Sequence, residues 1–528
     1  MNTAVKKCIA LFLAIVATAN LAACGSDPGS SVPDVESSHS VASSETPSSQ
    51  AQSETETAPS LPDKPVDVEG MVHISTAVLP DKADNFVEET IREKIKVNLN
   101  LTTYGTMEDL QTNLNLRLMS GDAPDFFVVN GRTNLSTYVQ EGFLLNLGDY
   151  EDRMPNVFAF MGNAKASGMI DGQQYAIAKR PYGFRNGLWI RKDWLDAHGL
   201  PIPTTLEDYI NAIRIIAASD PDGNGHNDTI GLTGIGLDTM SQFYGAYGVG
   251  NHKALVLEPD GSISSPLYEP AFREALTLIK SLIEEGLIDK EFLASNNNIL
   301  SDKFIQGSAV SFFSAWSALL KPAVFDPMLE NNPGAEWIML DGLQGPYDNY
   351  AGQYDDISNS GLYSFSSLLE GNQEKTEAVC RLFDYLAHGE GLDLAQFGIE
   401  DVHFTKDANG NYNTIEGTGS QTDFTFIYQL VGRDELPYCQ VKFAYAYEEA
   451  AFAYNRKRVS TINSIVQNPE WYKAADANRY IEEEITKFIF GNRSLDEYDS
   501  FLEVLNSTYQ YDKFVQDAQT QYKQLISD

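Results

Sequence analysis

From about Met71 onward, apolar positions along the chain switch repeatedly between a period of two and a period near 3.6. This predicts a strand at Val72–Val78, a helix at Asn85–Ile95, a strand at Val97–Leu101, a helix at Met107–Leu118 and a buried strand at Asp125–Val129. The order βαβαβ implies a mostly parallel sheet. The second helix is well marked: Thr106 and Asp109 form a variant capping box, and Met107, Leu110, Leu114 and Leu118 fall on one face. Ser120-Gly121-Asp122-Ala123-Pro124-Asp125 forces a tight loop before the next strand. Asn130 then follows that strand's carboxyl end, the edge at which open α/β sheets bind ligands.

The segment Asp171 to Trp194, dense in Gly, Tyr, Pro, Arg and Trp, reads as a crossing between lobes. Pro203 and Thr204-Thr205 start a helix that buries Leu206, Tyr209, Ile210, Ile213 and Ala217. Phe272 to Glu285 is a second helix, with Phe272, Leu276, Ile279, Leu282 and Ile283 inward and Gly286 as its stop. The apolar run Ala309–Phe313 is expected to return as a strand to the first lobe, and the chain after about Asn372 is expected to be mainly helical. The expected organisation is a first lobe of residues 66–182 and 308–372, a second lobe of 183–307 and 373–528, and a cleft where the crossings meet. No repeat of 20 to 50 residues is visible, which argues against solenoids and propellers.

The amino-terminal segment has a different pattern. Lys6 and Lys7 precede the apolar run Cys8 to Ala23, short enough for a secretory leader over residues 1–23. The run ends in Leu21-Ala22-Ala23-Cys24-Gly25, which resembles a bacterial lipobox and makes Cys24 the expected lipid-bearing residue, acylated by palmitate-type chains. A plain signal peptide or an uncleaved anchor are the alternatives. Residues 24–65 are Ser, Thr, Glu, Pro and Gln with almost no large apolar residue, so they cannot bury enough surface to offset their ordering entropy. They read as a tether with an r.m.s. span of about 35 Å. The expected location is the extracytoplasmic face of the cell membrane, held through the lipid alone.

Charge narrows the function further. The 528 residues carry 37 Lys+Arg against 74 Asp+Glu, a formal net charge of −37, in an otherwise ordinary composition of 43% hydrophobic and 21% charged residues. Such a field repels nucleic acid and anionic lipid. The dense basic stretches are short, at 179–192 and 456–458. Outside Cys24 the cysteines are Cys8, in the leader, and Cys380 and Cys439, which suit either a disulfide or two buried thiols. The chain has no H-E-x-x-H, G-x-S-x-G or P-loop, so the zinc-protease, α/β-hydrolase and ATPase classes find no motif.

Several strings together resemble bacterial extracellular solute-binding proteins of the lipid-anchored group that serves oligosaccharide ABC importers and includes alginate-oligosaccharide binders. They are Ser120–Asp125; Asp171-Gly172-Gln173-Gln174-Tyr175; Trp189-Ile190-Arg191-Lys192-Asp193-Trp194-Leu195 with Gly199–Thr205; Asp220-Pro221-Asp222-Gly223-Asn224-Gly225; and Glu484–Gly491. The resemblance covers about Val72 to Tyr522. It implies a type II periplasmic-binding-protein fold, two α/β lobes joined by a multi-crossing hinge. It also implies a monomer that is not an enzyme, an oligosaccharide ligand and ABC permease subunits as partners.

The Asp220 loop also has a chemistry of its own. Asp220, Asp222 and Asn224 occupy positions 1, 3 and 5 of an EF-hand-like ring, His226 offers a backbone carbonyl and Asp228 falls at position 9. Position 12 is Gly231, so no bidentate Glu closes the ring. Structural Ca2+ and a metal-free Asx-rich turn are both open. Sugar recognition calls for flat aromatic faces and paired hydrogen-bonding groups. The candidates are Asn130; Tyr182, Phe184, Arg185 and Asn186 in the crossing; Tyr244 and Tyr247; Trp316; and Tyr354, Asp355 and Asp356, with Trp316 and Asp356 foremost. Among 58 aromatic residues, any one is more often core than platform. For the cations Lys179, Arg180, Arg185, Arg191 and Lys192 two readings are open, reception of an anionic sugar such as a uronate and pairing with nearby carboxylates. A cell-surface glycan hydrolase and a ligand-sensing accessory of a receptor kinase are the rival functions.

Overall fold

A computed structural model describes residues 61–74, 79, 85–358, 361–408, 410–415 and 426–527. The expected leader, Cys24 and the tether up to residue 60 lie outside the described residues. The chain divides at Ser60–Leu61, and the unit Leu61–Asp528 is described below.

Two sheets organise this unit. Their strands, in chain order, are β1 (Val66–His73), β2 (Val97–Tyr104), β3 (Phe126–Val129), β4 (Ile177–Ala178), β5 (Asn186–Arg191), β6 (Ile230–Thr233), β7 (Ala309–Ala315), β8 (Trp337–Met339) and β9 (Leu362–Phe365). The first sheet has the order β2-β1-β3-β9-β4, parallel through its first three strands and antiparallel at β9. The second has the order β8-β5-β7-β6, with only β7 and β6 parallel.

The first expected strand is displaced. It lies at 66–73, where Val66 and Val68 are buried and Asp67 is exposed, and residues 75–78 of the expected range lie outside the described residues. The next four elements fall within a few residues of their predicted bounds. Thr106 caps its helix by accepting from the Asp109 amide at 3.1 Å. Asn85 does the same for helix Phe86–Ile95.

Two expectations about lobe membership are corrected. Ala309–Phe313 does not return to the first lobe. It pairs with β5 on one side and β6 on the other, in the second sheet. An apolar run buried on both faces states that it is central, but not in which sheet. The Ser311 hydroxyl settles into the second sheet by donating to the Gly231 carbonyl at 2.6 Å, beside the Tyr209 hydroxyl at 2.7 Å. Helix Gln373–Leu386, expected in the second lobe, packs on the first sheet, where Phe383 meets Phe126 and Phe365 with ring centroids 5.1 Å apart in each case.

The second core combines helices Leu206–Ala217 and Pro270–Glu284 with the late helices Ala474–Ile489 and Tyr498–Tyr509, whose Ile481, Ile485, Phe488 and Phe501 share one apolar cluster with Tyr209, Phe272 and Ile279. A further cluster covers the opposite face of the second sheet and joins Trp189, Phe312 and Trp316 to Cys439, Ala446, Ala450 and Ala453. Cys380 and Cys439 are free thiols in different cores, and burial pushes the Cys380 thiol up to about 12. Among the described residues no helix is long and apolar enough to cross a membrane.

Candidate ligand site where two sheet edges face a common hinge

Register places one edge of each sheet at the hinge. In the first sheet the carboxyl end of β3 at Val129 pairs with Leu362, and Leu362 pairs with Ala178 at the carboxyl end of β4, so Asn130 and Lys179 leave from the same edge. In the second sheet Ala315, the last residue of β7, pairs with Asn186, the first of β5. Asn130, Lys179, Asn186 and Trp316 therefore all sit where chain leaves or enters a sheet edge.

Three segments lie side by side at the joint; the first two connect the edges, and the third follows helix Tyr447–Asn455 within the second lobe. In the first, 179–185, the Arg180 amide donates to the Val431 carbonyl at 3.0 Å. The second, 351–354, and the third, 457–460, pair in parallel through Gln353 with Val459 and Tyr354 with Ser460. The Ala351 amide donates to Lys457 at 2.8 Å and the Val459 amide to Gly352 at 2.9 Å. Gly183 binds the bundle together. It has φ +76, its amide donates to the Tyr354 hydroxyl at 3.0 Å, and a Cβ there would lie 2.3 Å from the Tyr454 ring. No other residue type satisfies that conformation and that approach without strain.

Against the first crossing lies a cluster of charge and aromatic rings. Lys179, 4% exposed, donates from Nζ to the Tyr182 hydroxyl at 3.0 Å and to Gln429 Oε1 at 2.6 Å. Burial, with Arg433 nearby, lowers its pKa to about 7. Arg433 is held at 2.9 Å by Glu435, and its guanidinium lies 3.8 Å from the Tyr438 ring centroid and 4.6 Å from that of Tyr182. Glu435 Oε1 is buried with no hydrogen-bond partner. Arg185 lies over the other part of the Tyr182 environment, 5.3 Å from the ring centroid, and forms no ion pair among the described residues.

The five basic residues of 179–192 thus separate into two groups. Arg180 pairs with Asp434 at 2.6 Å, Arg191 with Asp193 at 2.6 Å, and Lys192 with Asp196 at 2.5 Å. Arg191 is also spent against Trp194, 3.9 Å from its ring. Lys179 and Arg185 alone of the five make no carboxylate contact among the described residues.

The remaining candidates are distributed unevenly. Tyr354 reaches Gly183 and faces Phe184, 6.2 Å between ring centroids, while Phe184 itself is buried. Asp356 pairs with Arg458 at 2.9 Å. Asp355 accepts from the amides of Ser464 at 2.7 Å and Ile357 at 3.0 Å, and burial raises its pKa. These are hinge contacts. Trp316 is 2% exposed and packs edge-on against Phe443, so it presents no open face here. Tyr244 is buried in the second core and stacked on Phe272. Tyr247, half-buried, tilts against Tyr347. Asn130 and Asn186 are exposed at their sheet edges. Gln429, Tyr428, Arg433, Glu435 and Tyr438 escaped the sequence reading, although the charged run Arg433-Asp434-Glu435 between Tyr428 and Tyr438 was a signal for them.

In the Asp220 loop, Asn224 occupies the centre. Its Nδ2 donates to Asp222 at 2.9 Å and Asp228 at 3.0 Å, while its amide reaches Asp220 at 3.1 Å. The exposed His226 contributes its backbone amide to Asn224 Oδ1 at 2.7 Å. Burial and the neighbouring Asp220 and Asp228 raise the Asp222 pKa. Among the described residues no group of three or more His, Cys, Asp or Glu is arranged to hold a metal ion. An ion would fit only after the Asn224 amide turned to present oxygen instead of nitrogen.

Two α/β lobes joined by three crossings, at 179–185, 351–354 and, between Val431 of the first core and Cys439 of the second-sheet cluster, 432–438, define a hinged binding protein of the type II periplasmic class. The chain belongs to the family described as bacterial extracellular solute-binding protein, which it matches over residues 76–347, just over half its length. The polygalacturonan/rhamnogalacturonan-binding protein YtcQ of Bacillus subtilis (strain 168) is 22% identical over 411 residues, 75% of this chain and 80% of its own. Lipoprotein LipO of the same organism is 23% identical over 418 residues, 74% and 80% of the two chains. Among solved structures, an EF-hand mutant of the S. pneumoniae ABC-transporter substrate binding protein FusA in complex with fructo-nystose superposes with a TM-score of 0.65 at 20% identity, covering 88% of this chain and 100% of that one. Alginate-binding protein AlgQ2 without calcium ion gives 0.61 at 19% identity, covering 88% and 99%. At these identities the structures speak for the fold alone.

Proposed function

We propose that this chain is the lipid-anchored substrate-binding component of an ABC importer. It captures an oligosaccharide between the two sheet edges, closes about its three-segment hinge and presents the closed form to a separate permease. The observation that carries the reading is the convergence of Asn130, Lys179 and Asn186 on one joint. YtcQ, FusA and AlgQ2, all named for glycan binding or pictured with an oligosaccharide, support it. Ligand bridging two lobes shifts an open-closed equilibrium through contacts made only in the closed state. Tyr182 offers a ring face, and Asn130, Asn186 and Gln429 offer amides to hydroxyls. Lys179 and Arg185, without carboxylate partners, favour a ligand that carries carboxylates, such as an oligouronide.

Two finer readings accompany this one. Cys24 carries the lipid, in keeping with the likeness to LipO. The Asp220 loop holds structural Ca2+ through Asp220, Asp222, Asn224, His226 and Asp228 once Asn224 has turned. The gathering of three carboxylates on Asn224, Asp222 and Asp228 at its side chain and Asp220 at its backbone amide, supports that reading, as does the EF-hand named for FusA. No bond is made or broken by the protein.

The test is a thermal-shift and calorimetric panel of oligogalacturonides, alginate oligosaccharides, kestose and nystose, with each sugar recovered afterwards. A binder present at 100 times its Kd gains about 2.7 kcal/mol of stability and returns the sugar intact. New reducing ends would instead support a glycan hydrolase, and no shift with any sugar would overturn the proposal.

A further inference from the structure

Lys179 opens the first crossing as a buried cation without a counter-charge. Its amide donates to the Gly361 carbonyl at 2.8 Å, which fixes the point where the side chain leaves the sheet edge. An ammonium has three N–H donors. Two of them reach the Tyr182 hydroxyl and Gln429 Oε1, and both acceptors are neutral. The third has no partner among the described residues.

Each element packed around this amine leaves it without an anion. In the first crossing Tyr182 presents its ring, with the centroid 5.2 Å from Nζ, and Arg185 lies over the same ring. Arg180 takes the carboxylate of Asp434. The turn Ile427–Gln429 supplies Gln429 and Tyr428, the latter hydrogen-bonded to Tyr182, and β9 supplies the buried Tyr363. The third crossing brings a second buried cation, Arg433, which repels the ammonium. Glu435 is held by Arg433 at 2.9 Å, and Tyr438 stacks on that guanidinium. An amine withdrawn from water beside a cation and opposite no anion gives up its proton more readily than an ordinary lysine. Lys179 accordingly comes down to about 7, so near neutrality the free protein holds it partly as amine and partly as ammonium. A carboxylate brought to the third N–H supplies the missing charge and favours the ammonium.

We infer that capture of a carboxylate-bearing ligand is coupled to uptake of a proton at Lys179 Nζ, so that affinity is high in mildly acidic surroundings and falls as the medium turns alkaline. The proton passes from solvent or buffer to the amine nitrogen, forms the ammonium that pairs with the ligand carboxylate, and returns when the ligand leaves. No bond of the ligand changes. The inference rests on the proposed function, in particular on Lys179 meeting a ligand carboxylate. Arg185 stays charged throughout and sets the affinity that remains at high pH. Ligand carboxylates are already ionised across this range and contribute no titration of their own.

Calorimetry of the purified protein with trigalacturonate and with an alginate trisaccharide, in buffers of different ionisation heat, counts the protons taken up on binding. For the oligouronide that binds, uptake should be about half a proton at pH 7 and approach one at pH 8.5, and affinity should fall about tenfold from pH 6 to pH 8. Kestose and nystose should show no uptake. Lys179→Arg keeps a charge that does not titrate here, so it should bind the oligouronide without uptake and with a flat pH profile, and Lys179→Met should lose the uptake and bind more weakly. Lys442, a second buried amine lowered to about 8, is intact in both variants, so uptake that persists in them belongs elsewhere and overturns the coupling. Absence of uptake in the wild type, or binding of neutral sugars alone, also overturns it while leaving the proposed function standing. A wild type that binds neither oligouronide nor neutral sugar overturns both.

Discussion

Replacing Gly183 by Ala tests the hinge at the residue where its segments touch. The backbone there sits at φ +76, and a Cβ would lie 2.3 Å from Cε2 and 2.5 Å from Cδ2 of Tyr454. A left-handed conformation costs a residue with a Cβ about 1–2 kcal/mol, and overpacking adds about 1–3 kcal/mol. The expected loss is therefore about 2–5 kcal/mol. Half-buried Tyr454 can relieve the packing part only by moving, which loosens the contact between the first crossing and helix Tyr447–Asn455. Urea titration followed by tryptophan fluorescence measures the loss, and calorimetry with the best sugar measures the effect on closure. Adding Tyr454→Ala to Gly183→Ala should restore the packing part and leave the conformational part, so the double variant falls short of additivity. Unchanged stability in Gly183→Ala, or full additivity in the double variant, would refute this account of the hinge.

Other predictions concern titration and metal. Lys179 has a folded pKa of about 7, below the ordinary lysine value of 10.5. Its burial cost is therefore complete below about pH 7 and is relieved as pH rises toward 10.5, where stability increases because the unfolded chain binds more protons. Lys179→Met should flatten that part of the stability profile measured between pH 6 and 10, and an unaltered slope would show that this amine does not carry it. The same variant should weaken oligogalacturonides more than kestose, read by calorimetry, if Lys179 meets a carboxylate. Added Ca2+ should raise the melting temperature, and Asp220→Asn should abolish that rise. A chelator that removes bound metal without changing the melting temperature would count against a structural ion.

The sequence displayed the elements more plainly than their partnerships. Helices Met107–Ser120, Leu206–Ala217 and Pro270–Glu284 were legible because caps and a 3.6 period are local signals. β7 was legible as a buried strand but assigned to the wrong lobe, since pairing register is a property of two distant segments. Helix Gln373–Leu386 failed in the same way: its apolar face fits either sheet, and only the Phe383 contacts decide. In the candidate site, residues of the first crossing were readable from their composition, whereas Arg433 and Glu435 lie about 250 positions away from it and meet it only through the fold. Trp316 and Tyr244 show the converse, rings suited to a sugar that the packing uses as core.

The central claim is that the lobes close on a sugar that leaves unchanged. Small-angle X-ray scattering of the purified protein, with and without a saturating oligosaccharide chosen from the panel, measures this most directly when the sugar is analysed afterwards. The account predicts a smaller radius of gyration with ligand and complete recovery of intact sugar. Identical scattering curves at demonstrated saturation, or cleavage of the sugar, would contradict it.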